Sequence, residues 1–145
     1  MDTETAKKII EEARTLLGAP YKFGEDGTDA QKSIDCSFFT KIRFLKGINK
    51  DIGRSTILQA THGETVSKKD LQPGDLIFLR GTRGHYNDEL YPPEKYGYDF
   101  CIGHVVIYTG DGMAIHASGE KGMVVEEPLE EIIRTRVKIT IIKRL

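Results

Sequence analysis

At 145 residues and 16.3 kDa the chain is the size of one domain, 1–145, long enough to bury a single hydrophobic core. An apolar fraction of 39% beside 30% charged residues excludes a disordered polymer, and 21 basic against 22 acidic side chains exclude the basic excess expected of a nucleic-acid or anionic-membrane surface. No apolar run approaches the ~18–20 residues of a membrane span, and two cysteines cannot build a disulfide framework. The start MDTETAKKII lacks the basic and apolar parts of a signal peptide, so the expected routes are cytoplasmic residence, another export route, or a leader already removed.

Residues 5–17 read as an amphipathic helix, with Ala6, Ile9, Ile10, Ala13, Leu16 and Leu17 on one face and Gly18 as its stop. GAPYKFGEDGTD follows as a loop. Asp35 can cap a second helix whose apolar positions are Phe38, Phe39, Ile42 and Leu45 and which ends at Gly47. A shorter helix is expected over 55–61. After the Pro-Gly turn of LQPGD the pattern changes to strands over 75–80, 103–109, 113–118, 122–126 and 136–143, two of them joined through Gly110-Asp111-Gly112. Helices first and antiparallel strands after make an α+β fold. Residues 80–102 hold four of the six tyrosines and show no period. That segment is either a surface excursion or an active-site lid.

The stretch SIDCSFFTKI sets Cys36 on the first turn of the second helix. Unpaired N–H groups and the positive end of the helix dipole favour thiolate there, and helix N-termini can lower a cysteine pKa from about 8.5 into roughly 3.5–7.5. The competing reading is a buried structural thiol. Of four histidines, His104 and His116 lie on the two strands of one hairpin, downstream of that cysteine. One ring can take the thiol proton while the other holds it. Parity tests the idea, because side chains alternate faces along a strand. A plain two-residue turn at Asp111-Gly112 puts the two histidines on opposite faces. A three-residue loop, or a bulge, puts them on one face. Zinc is the competing use, but no pair of close ligand spacings exists beyond Cys101 and His104. Cys101 itself reads as a plain core or loop thiol.

LGAPYKFG, DCSFFT, LQPGDLIFL, GHVVIYTGDG and AIHAS occur in this order and together resemble the NlpC/p60 family of papain-like cysteine peptidases, over about residues 6–142. The resemblance implies a minimal papain-like α+β fold with N-terminal helices on an antiparallel sheet. It implies Cys36 as nucleophile, His104 as general base and His116 as the polar third member. Tyr21 matches a tyrosine beside the active site, and Asp35 and Ser37 match positions that help bind the substrate's free amino end. The family cuts peptidoglycan stem peptides, most often between D-glutamate and the following diamino acid. No cofactor, no metal and a monomer are expected. This sequence departs by Phe38 where glycine is usual, and by the length of 80–102. The alternatives are a papain-like amidase or acyltransferase on another amide or ester, or an inactive wall-binding module of a phage tail or toxin.

Overall fold

Asp2 opens the first helix, α1 (Thr3–Arg14), by accepting a hydrogen bond from the Thr5 N–H at 2.7 Å. This computed structural model describes residues 2–28, 30–31, 33–80, 102–136 and 139–145. Helix α1 buries Ala6, Ile9, Ile10 and Ala13 but ends three residues before the expected limit. Leu17 consequently falls in the following turn and is exposed. The buried guanidinium of Arg43 donates to the Glu12 carbonyl at 2.8 Å and so satisfies a carbonyl of the last turn from a neighbouring helix.

That neighbour is α2 (Cys36–Ile48), with Asp35 as its cap and Asn49 in the left-handed region (φ 55) closing it. Gly47 therefore lies inside the helix rather than stopping it. A Cβ at Gly47 would sit 2.9 Å from Ile9 Cγ1 and 3.1 Å from Ile9 Cα, so glycine lets α1 and α2 touch backbone to backbone. The side chain of Leu45, expected in the core, lies outside the described residues. A short α3 (Thr56–Gln59) follows, capped by Ser55.

Six strands form one antiparallel sheet in the order β1-β6-β2-β3-β4-β5. They are β1 (Glu64–Thr65), β2 (Leu76–Arg80), β3 (Ile102–Gly110), β4 (Met113–Ser118), β5 (Met123–Pro128) and β6 (Ile139–Arg144). The unbroken apolar run of β2 reflects burial on both faces. Leu76 and Phe78 join the core beneath α1 and α2 with Ile9, Phe39, Phe44, Val105, Ile107 and Ile115. Ile77 and Leu79 join a second core with Val106, Ala114 and Ile142. A further helix, α4 (Leu129–Arg136), covers that second core with Leu129 and Ile132 and occupies the start of the span expected as strand 136–143. The expected α+β architecture is present, with α4 and the two-residue β1 as additions. The 80–102 excursion and Cys101 lie, apart from Arg80 and Ile102, outside the described residues.

The β3–β4 hairpin resolves the parity question. Asp111 and Gly112 both have positive φ (52° and 76°) and form a two-residue turn beside the Gly110↔Met113 pair. One step further the register shifts, so that Tyr108 faces Ala114 and Ile107 faces Ile115. Thr109 is the extra residue of a bulge, and it restores the parity that places His104 and His116 on one face.

Candidate active site

Cys36 is the first residue of α2 and is buried. Helix α2 packs across β3 and β4, and Cys36 belongs to the same apolar cluster as Val105 and Ala117, the residues following His104 and His116. Its flanks are tightly bonded. Asp35 Oδ1 accepts the Phe38 N–H at 2.8 Å, and Oδ2 accepts the Gly24 N–H at 3.2 Å. The Arg54 guanidinium reaches both oxygens, Nη1 to Oδ1 at 3.1 Å and Nη2 to Oδ2 at 2.9 Å, and also donates to Ser37 Oγ at 2.8 Å. Such a two-pronged pair is the strong form of a charge-assisted bond. The same guanidinium lies 5.6 Å from the centre of the Phe38 ring, the residue that replaces the usual glycine. Asp35 and Ser37 thus come together with Arg54, which the sequence reading did not single out.

Gln59 holds this helix start from beneath. Fully buried, its amide donates to the Ser37 carbonyl at 2.7 Å and to the Gly53 carbonyl at 3.0 Å, and its oxygen accepts from the Thr40 hydroxyl. Each bond satisfies a buried polar group that would otherwise cost about 1–3 kcal/mol. The expectation of a helix over 55–61 gave Gln59 a place but not this task.

Tyr21 sits on a loop that bridges the two halves of the site. It pairs with Ile34 on one side, and its N–H donates to the Gly122 carbonyl at 3.0 Å on the other. A Cβ on Gly119 would stand 3.1 Å from the Tyr21 ring, so that glycine makes room for it.

The histidines meet directly. His104 Nε2 lies 2.7 Å from His116 Nδ1, with the rings nearly perpendicular, and both side chains are buried. His116 Nε2 lies 2.8 Å from Glu127 Oε2. The carboxylate can only accept, so neutral His116 carries its proton on Nε2 and offers the lone pair of Nδ1. His104 must then donate from Nε2, which leaves the lone pair of its Nδ1 as the basic one. The hydrogen bond from His116 is also the main reason the Glu127 carboxyl is held below its ordinary range, with the Lys121 charge adding to it. Glu127 was not among the expected site residues. Among the described residues, no group of three or more His, Cys, Asp or Glu side chains is placed to hold a metal ion.

The NlpC/P60 family profile matches residues 18–91. A probable endopeptidase of Haemophilus influenzae is 35% identical over 116 residues, 80% of this chain and 61% of that protein. The murein DD-endopeptidase MepS/murein LD-carboxypeptidase of Escherichia coli K12 is 26% identical over 136 residues, 93% of this chain and again 61% of that protein. The chain thus spans about three fifths of the length of these two relatives. In structure, the NlpC/p60 domain of the peptidoglycan hydrolase SagA superposes with a TM-score of 0.72 at 24% identity, over 97% of this chain and 98% of that one. A helix-start cysteine, a histidine pair on one bulged hairpin and this profile match agree, and the chain belongs to the NlpC/P60 family.

Proposed function

We propose that the protein is a cysteine peptidase that hydrolyses peptidoglycan stem peptides at the γ-D-glutamyl–diamino acid bond. The observation that carries this reading is the bonded histidine pair, whose tautomers leave Nδ1 of His104 basic, on strands packed beneath the helix that Cys36 begins. Pairing groups His104 with Leu79 on one sheet face, whereas Cys36 joins the cluster of Val105 on the other. The proposal therefore has thiol and imidazole meet around the end of the sheet, where the β2–β3 register shifts just before His104. Names of relatives that act on murein support the substrate class, and the family's usual chemistry supports the bond.

In the proposed reaction His104 Nδ1 takes the Cys36 proton as Sγ bonds to the carbonyl carbon. The oxyanion forms near the positive start of α2. The imidazolium then returns that proton to the leaving amine, which departs and leaves a thioester. Water attacks the thioester with His104 again accepting a proton, and the acid product and free thiol result. Asp35, Ser37 and Tyr21 are assigned to the substrate's amino end, where its ammonium competes with Arg54 for the Asp35 carboxylate.

Digestion of stem peptides freed from the glycan, so that they carry a free amino end, followed by mass spectrometry of the products, tests the reading. The expected products end in γ-D-glutamate, and both Cys36→Ala and alkylation of Cys36 abolish them. Products cut between D,D-linked residues would overturn the bond assignment. Free-amine stem peptides left uncut by wild-type protein, or full activity in Cys36→Ala, would overturn the enzyme.

A further inference from the structure

We infer that Glu127 is a positioning residue of this site, the group that fixes the proton pattern of both histidines. The inference rests on the proposed assignment of His104 as the base. It starts from three side chains joined in succession: Glu127 Oε2 to His116 Nε2 at 2.8 Å, and His116 Nδ1 to His104 Nε2 at 2.7 Å. Position 127 is set by the sheet rather than by chance. Glu127 pairs with Ala114 and Val125 pairs with His116 across β4–β5, so Glu127 shares the face of His116 and stands diagonal to it.

Reversing the tautomer shows what the carboxylate does. If His116 carried its proton on Nδ1, that N–H would face His104 Nε2 and could only be accepted there. Neutral His104 would then hold its own proton on Nδ1, the nitrogen that must be empty to take the thiol proton. An acceptor-only group at 127 forbids this arrangement. It also places a negative charge at the far end of the chain when His104 becomes imidazolium, with no proton leaving its place. The charged groups lining the small polar cavity beside His116 and Glu127 are Glu120 and Lys121 from the β4–β5 turn and Glu131 and Arg134 from α4. Of these, Arg134 donates to Glu131, and the Lys121 N–H donates to Ser118 Oγ.

The test compares wild type with Glu127→Leu, Glu127→Gln and Glu127→Asp, using ¹⁵N-edited spectra of the histidine rings and kcat and KM on wall peptides. In wild type at neutral pH both rings should be protonated on Nε2. Glu127→Leu should lose that single pattern and lower kcat by about 10²-fold, between a merely orienting contact and the roughly 10⁴-fold cost of a histidine held in the wrong tautomer. Its KM should stay within about twofold, because the lost interaction acts on the reacting state. Glu127→Asp should recover part of kcat, and Glu127→Gln, whose amide can donate as well as accept, should fall between. If Glu127→Leu does not fold, Glu127→Gln carries the comparison. An Nδ1–H tautomer of His116 in wild type would overturn the inference. So would a folded Glu127→Leu protein with wild-type spectra and kcat. If wild type cleaves nothing yet shows the Nε2–H pattern, and Glu127→Leu destroys it, the functional assignment fails while the role of Glu127 in the histidine chain stands.

Discussion

Replacing Arg54 by methionine removes the guanidinium from Asp35 while leaving an unbranched apolar stem against Phe38. The Asp35 side chain is 9% exposed and that of Arg54 41%, so the pair is neither interior nor free in solvent. Breaking a buried pair by removing one partner costs about 3–5 kcal/mol, and losing an exposed pair about 0–1. Water can enter where Arg54 was, and Asp35 keeps the N–H groups of Phe38 and Gly24. The expected loss is therefore about 1–2 kcal/mol, or about 3–7 °C in Tm for a domain of this size. Thermal melts of wild type, Arg54→Met, Asp35→Asn and the double variant provide the measurement. The two single effects should fail to add, because each destroys the same pair. A second readout bears on the substrate. With Arg54 gone, a free carboxylate should lower KM for peptides with a free amino end and leave KM for acetylated ones unchanged. A Tm within about 1 °C of wild type, or strictly additive effects, would refute the stabilising role of the pair. An equal change in KM for both peptides would refute Asp35 as the amine partner.

Activity assays on variants of the histidine pair should rank the two rings: His104→Ala should lose about 10²–10⁴-fold, and His116→Gln less, because an amide can reproduce one of its hydrogen bonds. Equal losses would mean that the roles are wrongly divided. Acid titration should show the carboxylates that hold β5. Hydrogen bonds from Arg14 hold Glu126 below its ordinary range, and the bond from His116 does the same for Glu127. A depressed folded-state pKa adds stability above the unfolded value, about 4.3, that is lost as pH falls through the folded one. Tm should therefore be level above about pH 5 and decline below about pH 4, and Glu126→Gln should flatten part of that decline. Gly47→Ala should destabilise by about 1–3 kcal/mol in urea unfolding, because the added methyl meets the backbone of Ile9 rather than a movable side-chain end.

Much of this arrangement could be read from residue patterns. The α+β order, Asp35 as a cap and the strand 113–118 are where the periodicity places them. Parity reduced the histidine pair to a turn or bulge question, which Thr109 answers. The omissions have local causes. The pattern ends the strand containing Glu127 at residue 126, two short, because Glu126-Glu127-Pro128 reads as polar turn material unless its pairing to β4 is known. Arg54 and Gln59 act across sequence gaps of 19 and 22 residues, to Asp35 and Ser37, and no local period encodes such reach. Helix α4 did leave a signal, a proline just before it and Glu130 and Glu131 in its first turn, but its short amphipathic run sits between strands. Gly47 read as a stop because glycine commonly ends helices, and its use in a close crossing depends on where α1 lies.

The position of β6 between β1 and β2 gives the protein a particular order of assembly on the ribosome. Until residues 139–144 are made, β2 has an open edge, and Ile77 and Leu79 lack their partners Ile142 and Ile139. Asp75 likewise waits for Arg144, whose Nε and Nη2 each reach its carboxylate at 2.8 Å. At synthesis rates of about 5–20 residues per second, some seconds separate the emergence of Cys36 from that of the strand that completes the sheet. During that interval the helix that Cys36 begins can form, but the strands bearing His104 and His116 lack a finished platform. Ribosome-stalled chains ending before residue 139 should accordingly be protease-sensitive and hydrolytically silent, which would confine the proposed activity to chains that carry β6.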